Sequence, residues 1–301
     1  MPGTISDDAR TVLKSYEGAE TRWQIASRVP PPGLRESVRQ CAGYTEKANH
    51  PVARHEVPRP WVVVILEMGP PIRVHNPADQ ACSTRYSAGF VAGLDDQVTL
   101  TSHDGYQSGI ELNLCPVAAR RVFGTPMSAV AGRVIAFDDL LPRPFQGFTS
   151  RLAELPSWAA RLDLVEAVLV ERLAATEPPS RIASFASRRI RQQPDLDLKS
   201  LAKELGYSQK HVITLFKEHI GITPKQFARL VRFDRLVQYL RSGGRAPWAE
   251  LARRFGWFDQ AHLASDLRRF LGTTPSRALD QLGLPSGMEV NFFQDAFQSE
   301  S

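Results

Sequence analysis

Residues 198–224 read LKSLAKELGYSQKHVITLFKEHIGITP, and residues 248–275 read WAELARRFGWFDQAHLASDLRRFLGTTP. The two stretches are one pattern written twice. Leu198, Leu201, Ala202 and Leu205 of the first answer to Trp248, Leu251, Ala252 and Phe255 of the second, each set at helical spacing and closed by a glycine, Gly206 or Gly256. A second short helix follows, carrying Val212 and Phe216 in one copy and Leu263 and Leu267 in the other, and each copy stops at Gly-x-Thr-Pro, ending at Pro224 or Pro275. The offset is 50 residues before the turn and 51 after it, so one residue is inserted at the second turn. Helix, glycine turn and second helix, twice over, predict paired helix-turn-helix units, a form that reads double-stranded DNA.

Periodicity assigns the faces. At 100° per residue, Val212, Leu215 and Phe216 share the inner side of a helix over 209–219, leaving Lys210, Thr214 and Lys217 opposite. In the second copy Leu263, Leu267 and Phe270 point inward, and Ala261, Ser265 and Arg268 outward. Gln209, Lys210, Thr214, Gln260, Ala261 and Ser265 are therefore the candidates for base edges. Lys217 and Arg268 join Lys210 as candidates for the phosphate backbone. His211 and His262 hold the same place in both copies, which suits a structural or phosphate-facing role better than base reading. Thr223-Pro224 and Thr274-Pro275 are read as helix starts, threonine capping and proline filling the first turn. Between the copies, Phe227, Leu230, Val231, Leu236, Val237 and Leu240 mark a long helix over 224–241. A rigid connector of this kind sets the two readers into successive major grooves, about 34 Å apart.

Charge supports the same reading independently. Residues 181–282 hold 19 Lys+Arg against 9 Asp+Glu, whereas residues 1–180 hold 18 against 20, so the net charge of +5 is concentrated where the repeat lies. The chain of 301 residues is long enough for two domains, and its 43% hydrophobic and 23% charged residues are those of a globular protein. No apolar run approaches the roughly 20 residues that span a bilayer, and MPGTISDDAR lacks the pattern of a signal peptide, so no membrane partner and a cytoplasmic location are expected.

The first half reads differently. A short helix is expected around 8–17, within an N-terminal extension over 1–30 that ends at the prolines 30–32. Strands are expected over 61–68, 72–75, 87–94, 97–102 and 109–114, separated by turn-prone residues such as Asp95-Asp96 and Asp104-Gly105. Pro116 opens a short helix, and helical stretches follow at 148–155 and 162–173 before Pro178-Pro179 mark a boundary. The expected organisation is an extension (1–30), a sensor or dimerisation domain (31–176), the DNA-binding domain (181–282) and an acidic tail (283–301) whose Phe292, Phe293 and Phe297 suggest docking.

The paired units, with Gly221-Ile-Thr-Pro224, the run from Gly256 to His262 and Gly272-Thr-Thr-Pro275, resemble the AraC/XylS family of transcriptional regulators over about residues 181–282. The stretch 31–173 is similar, more loosely, to a sensor half found in part of that family, carried by its proline-rich start, the strand over 61–68, Leu114-Cys-Pro116 and Phe123-Gly124. The fold class this implies is α+β with two domains. They are an N-terminal cupin-like β-barrel with helices, and an all-α C-terminal domain with two helix-turn-helix units joined by a long helix. The resemblance also implies an activator that contacts RNA polymerase; the N-terminal half is expected to sense a small-molecule effector, to form a homodimer, or both. Family members usually carry an arginine in each reading helix where this chain has Thr214 and Ser265, which shifts the expected readout toward A·T pairs and the backbone load onto Lys210, Lys217 and Arg268. A preference of about 10³-fold over random DNA is still within reach.

Other chemistry is weighed against this. His50, His55, His75 and His103 invite a metal, but metal-binding cupins use a His-x-His pair and none occurs, so neither a metal nor a cofactor is expected. No catalytic constellation is found, and the chain is read as a non-enzyme. A cupin-type metal-dependent enzyme with a DNA-binding appendage is the competing class. A thiol sensor using Cys41, Cys82 or Cys115 is the third reading, against buried, reduced thiols. Trp61, Phe90, Tyr106 and Phe123 are the candidates for lining a ligand pocket.

Overall fold

A computed structural model describes residues 3–6, 10–76, 79–141 and 145–272. The first half is β-rich. Its strands are β1 (Gly3–Ser6), β2 (Val12–Glu17), β3 (Thr21–Ser27), β4 (Val38–Ala48), β5 (Val52–Glu56), β6 (Val62–Glu67), β7 (Ile72–Asn76), β8 (Asp79–Tyr86), β9 (Gly89–Ala92), β10 (Thr99–His103), β11 (Tyr106–Leu114) and β12 (Val134–Ala136). All described pairings are antiparallel, and they form an eight-stranded sheet, β1-β2-β3-β4-β11-β6-β9-β12, and a four-stranded one, β5-β10-β7-β8. The sheets face each other as a barrel-like pair. Tyr44, Ile65 and Phe90 of the large sheet meet Ile72 and Val74 of the small one in a common apolar cluster.

The valine-dense run at 62–67 is a central strand with both neighbours paired, which is why it is apolar almost throughout. The expected helix near residue 17 is instead the strand β2. It turns at Gly18 into β3, with Tyr16 stacked on Trp23 across the pair at 5.9 Å. Cross-strand aromatic packing and pairing with β1 and β3 override a weak helical pattern. The residues before Pro31 thus include strands that widen the large sheet. Buried Arg28, at the end of β3, ties this widening to the helical layer by donating to Asp163 at 2.7 Å and to the Ala159 carbonyl at 2.7 Å.

The outer face of the large sheet is covered by helices α1 (Pro116–Phe123), α2 (Phe137–Leu140), α3 (Phe148–Glu154) and α4 (Trp158–Ala174). Trp158, Leu162, Val165 and Leu169 of α4 form a stripe packed with Val64, Leu112 and Leu114. Gly43 in β4 permits this approach, because a Cβ there would lie 2.2 Å from the Trp158 ring.

The second half is all-α: α5 (Arg181–Gln192), α6 (Leu198–Leu205), α7 (Gln209–Ile220), α8 (Pro224–Arg241), α9 (Trp248–Arg254) and α10 (Gln260–Leu271). The expected connector is α8, whose Phe227, Leu230, Val231, Phe233, Leu236, Val237 and Leu240 are buried among the other helices. The core of this half does not stop at the boundary. Val57, Leu94 and Val117 of the β-rich half belong to the same buried cluster as Phe216 and Phe227. The expected tail at 283–301 and the cap at Thr274-Pro275 lie outside the described residues. No described helix is long and apolar enough to cross a membrane.

Candidate nucleic-acid interface

Side-chain caps start three of the four helices of the two units, α9 beginning instead after Pro247. Asp197 starts α6, accepting from the Lys199 and Ser200 amides at 2.7 and 3.1 Å, and Gly206 ends it at φ +74°, a left-handed conformation that favours glycine. Ser208 then caps α7 by accepting from the His211 amide at 3.2 Å. In the second copy Gly256 makes the turn at φ +86° and Asp259 caps α10 by accepting from the His262 amide at 2.7 Å. Thr223 opens α8 with a reciprocal capping box. Its hydroxyl accepts from the Gln226 amide at 3.2 Å, and the Gln226 side chain accepts from the Thr223 amide at 3.0 Å.

Val212, Phe216, Leu263, Leu267 and Phe270 are buried, as their spacing requires. Gln209, Lys210, His211, Thr214 and Lys217 of α7 are all exposed, and so are Gln260, Ala261, His262, Ser265 and Arg268 of α10. Two details refine their chemistry. The Thr214 hydroxyl donates to the Lys210 carbonyl at 3.0 Å, so it offers outward an acceptor oxygen and a methyl group rather than a donor. The His211 ring stacks on half-exposed Tyr207 with centroids 4.9 Å apart, which fixes it at the start of the helix.

The sequence reading missed what holds the second unit. The inserted turn carries Trp257 and Phe258; Trp257 is buried, and Phe258 is 93% exposed directly before α10. Asp266, 3% exposed, accepts from Trp257 Nε1 at 2.8 Å and from Arg229 Nε and Nη2 at 3.0 and 2.6 Å. An aspartate on the stripe shared by Leu263, Leu267 and Phe270 was the available signal.

The β-rich half grips both units. Arg120 of α1 donates to Glu218 at 2.7 Å and to His219 Nδ1 at 3.1 Å at the end of α7. Burial, with the Arg120 charge beside it, holds the His219 imidazole below its ordinary pKa and so favours the neutral acceptor. Gly221, at φ +101°, lies against the Met127 carbonyl, where a Cβ would come within 2.8 Å. Asp96 accepts from Arg269 of α10 at 2.6 Å and lies 3.9 Å from Arg229. Arg191 of α5 lies 3.7 Å over the Trp61 ring and donates to the Pro60 carbonyl at 2.6 Å.

Between the two sheets is a cavity of about 110 Å³ lined by Trp61 and Phe90 together with Tyr44, Ile65 and the ion-paired Arg59 and Glu111. Tyr106 and Phe123 are not part of it. Tyr106 is 41% exposed at the start of β11, and Phe123 is buried in the layer under α4. Two buried carboxyls lie nearby with opposite behaviour. Burial pushes Glu67 up to about 7, despite hydrogen bonds from the Gly69 and Ser108 amides. Burial also acts on Glu46, but hydrogen bonds and charge from His103 and Arg54 outweigh it and bring the group down to about 2. Among the described residues, no group of three His, Cys, Asp or Glu is placed to hold a metal ion. Cys82 is exposed and Cys115 half-buried, whereas burial, with Glu166 nearby, pushes the Cys41 thiol up to about 12 and makes it a poor nucleophile.

A family model described as a helix-turn-helix domain matches residues 201–281, from within α6 to beyond α10. Residues 201–281 are an AraC-type helix-turn-helix domain. Domains of this type bind DNA and regulate transcription. No curated protein matches the chain. Among solved structures, ToxT from Vibrio cholerae is similar over 81% of this chain and 98% of its own, at 9% identity and a TM-score of 0.46. Wild-type ToxT with an unsaturated fatty acid bound is similar over 87% and 99%, at 10% identity and a TM-score of 0.44. The C-terminal domain of AraT, a response regulator from Geobacillus stearothermophilus, is similar over 33% and 84%, at 24% identity and a TM-score of 0.31. At such values the likeness decides nothing about this chain.

Proposed function

We propose that the chain is a sequence-specific transcription regulator in which α7 and α10 enter successive major grooves of a site of roughly 20 bp. The observation that carries this reading is the paired exposure of the starts of both helices, each capped by its own Ser208 or Asp259. Gln209, Lys210 and Thr214, and Gln260, Ala261 and Ser265, face base edges. With its proton committed to Lys210, Thr214 suits the methyl group of thymine better than guanine. Lys217, Arg268 and the two histidines meet the backbone.

The β-rich half acts as the sensor or dimerisation domain, over about residues 31–176. Its contacts at Glu218, Gly221, Arg269 and Arg191 reach both reading units and the helix that leads into them. An effector that binds it differently in two arrangements would shift their populations and so the presentation of α7 and α10. Activation through RNA polymerase is the polarity that the family resemblance supplies.

Selection of a random duplex library on the full-length protein tests the reading. Two short enriched boxes about one helical turn apart are expected. Salt-sensitive binding with no enriched motif would remove sequence-specific reading from the proposal.

A further inference from the structure

A cleft of about 1070 Å³ opens where the large sheet and the 57–61 loop face α8 and α9. That is slightly more than the roughly 300–1,000 Å³ typical of small-molecule sites. Its walls are dominated by cationic side chains from both halves. Arg35 and Arg39 come from the β-rich side, Arg235 from α8, and Arg253 and Arg254 from the end of α9. These five form no salt bridge among the described residues. Arg35 donates to the Pro30 carbonyl, Arg235 to the Arg191 and Gln192 carbonyls, Arg254 lies 4.2 Å over the Tyr239 ring, and Arg39 and Arg253 are exposed. Hydrogen bonds to carbonyls and contact with a ring orient a guanidinium without cancelling its charge.

The lining contains only two carboxylates against them, Asp195 and Asp234. Asp234 also accepts from the Gln238 side-chain amide at 2.7 Å, and burial pushes its carboxyl up even with Arg59, Arg191, Arg39 and Arg241 around it. Arg10, Lys14 and Arg241 add further cationic side chains to the same lining. Cations facing one another across a gap also repel, and a multiply charged anion between them removes that cost from both walls.

We propose that this cleft binds a small polyanion bearing two or more phosphate groups, held by guanidiniums of both domains. Tetrahedral phosphate oxygens match the planar donor fork of arginine, and several linked phosphates meet an excess of charge that a single carboxylate would leave uncancelled. The proposal names an effector class for the regulator described above. It depends on that reading only for the consequence that occupancy draws the two halves together and alters DNA affinity.

The test is calorimetric titration of the full-length protein with inorganic tripolyphosphate, alongside orthophosphate, citrate, decanoate and a duplex of the selected site. Expected are one tripolyphosphate per chain, weaker binding of the other small anions, and an affinity that falls with salt. Arg35→Glu/Arg39→Glu on one wall, and Arg253→Glu on the other, should each weaken tripolyphosphate by about tenfold or more. The Arg35→Glu/Arg39→Glu protein should keep its duplex affinity in the absence of anion, which shows that it is folded. Unchanged tripolyphosphate binding in both variants overturns the site. Citrate or decanoate binding as tightly overturns the phosphate class, and displacement of tripolyphosphate by duplex in proportion makes the cleft a DNA channel instead. Duplex binding without tripolyphosphate binding defeats the effector site alone; tripolyphosphate binding without duplex binding supports the site and defeats the DNA-reading function.

Discussion

Asp266→Ala should unfasten the second reading unit, and its cost follows from the contacts. The carboxylate is 3% exposed and accepts from Trp257 Nε1 at 2.8 Å and twice from Arg229. Truncation leaves the buried indole N–H without an acceptor, at about 1–3 kcal/mol. It also breaks a largely buried ion pair, for which removal of one partner costs about 3–5 kcal/mol. The Arg229 side chain keeps 18% exposure and a second carboxylate, Asp96, at 3.9 Å, so the lower end applies to that part. The two costs share one side chain and do not add, and a total of about 3–4 kcal/mol is expected. For a chain of this size that lowers Tm by about 5–6 °C. Asp266→Asn keeps an acceptor for the indole and should lose about 1–2 kcal/mol. Trp257→Phe removes the donor, and combining it with Asp266→Ala should cost at least about 1 kcal/mol less than the sum of the two. Thermal and urea unfolding followed by circular dichroism measure all four. A loss below about 1 kcal/mol for Asp266→Ala would refute the idea that this carboxylate anchors α10.

Lys217→Ala should weaken DNA binding on all sequences alike and reduce the salt slope by about one, whereas Thr214→Ser should relax preference at one A·T position with little change in slope; fluorescence anisotropy at several salt concentrations separates them. Asp96→Ala removes a pair in which the Arg269 side chain is 49% exposed, so stability should change by less than about 1 kcal/mol. If the β-rich half restrains α10, the same variant should raise DNA affinity without effector, and an unchanged affinity would count against that restraint. Glu67 ionises near 4.5 when unfolded and about 7 when folded, so its ionised form opposes folding. The penalty is absent below pH 4.5, grows as pH rises toward 7, and reaches about 3 kcal/mol above it. Glu67→Gln should accordingly stabilise the protein at pH 8 and have much less effect at pH 5, as urea titrations would show. Ellman's reagent at pH 8 should label exposed Cys82 and leave Cys41 unmodified until the chain unfolds.

The reading half was legible because its signals are local. A 3.6-residue stripe, a capping Ser or Asp and a left-handed glycine all lie within a few residues of the helix they define, so α7, α8 and their exposed faces could be drawn from sequence. Strand β6 was equally plain, being apolar on both faces. Strand β4 was not, since its VRQCAGYTEKA alternates poorly and carries Glu46, which is buried only because Arg54 and His103 reach it from other strands. Pairings such as Arg28 with Asp163, Arg269 with Asp96 and Asp266 with Arg229 span 37 to 173 residues, and no window of sequence contains both partners. The proposed pocket aromatics divided for a related reason. Phe90 and Trp61 face the gap between sheets, whereas the position of Tyr106 at the first residue of β11 leaves it outside.

Val57, Leu94 and Val117 are packed into the core of the reading half, so the two domains are not beads on a string. Breaking the seam would strand apolar surface on both sides, and the halves should melt together as one cooperative unit. Any compound that binds the β-rich half therefore delays unfolding of the DNA-binding half by mass action, by about 2.7 kcal/mol at a hundred times its dissociation constant. Trp257, buried beside α8 and α10, therefore reports through its share of the tryptophan fluorescence on ligands of the other half. A thermal-shift screen read by tryptophan fluorescence could search a compound library for the effector before a single target gene is known.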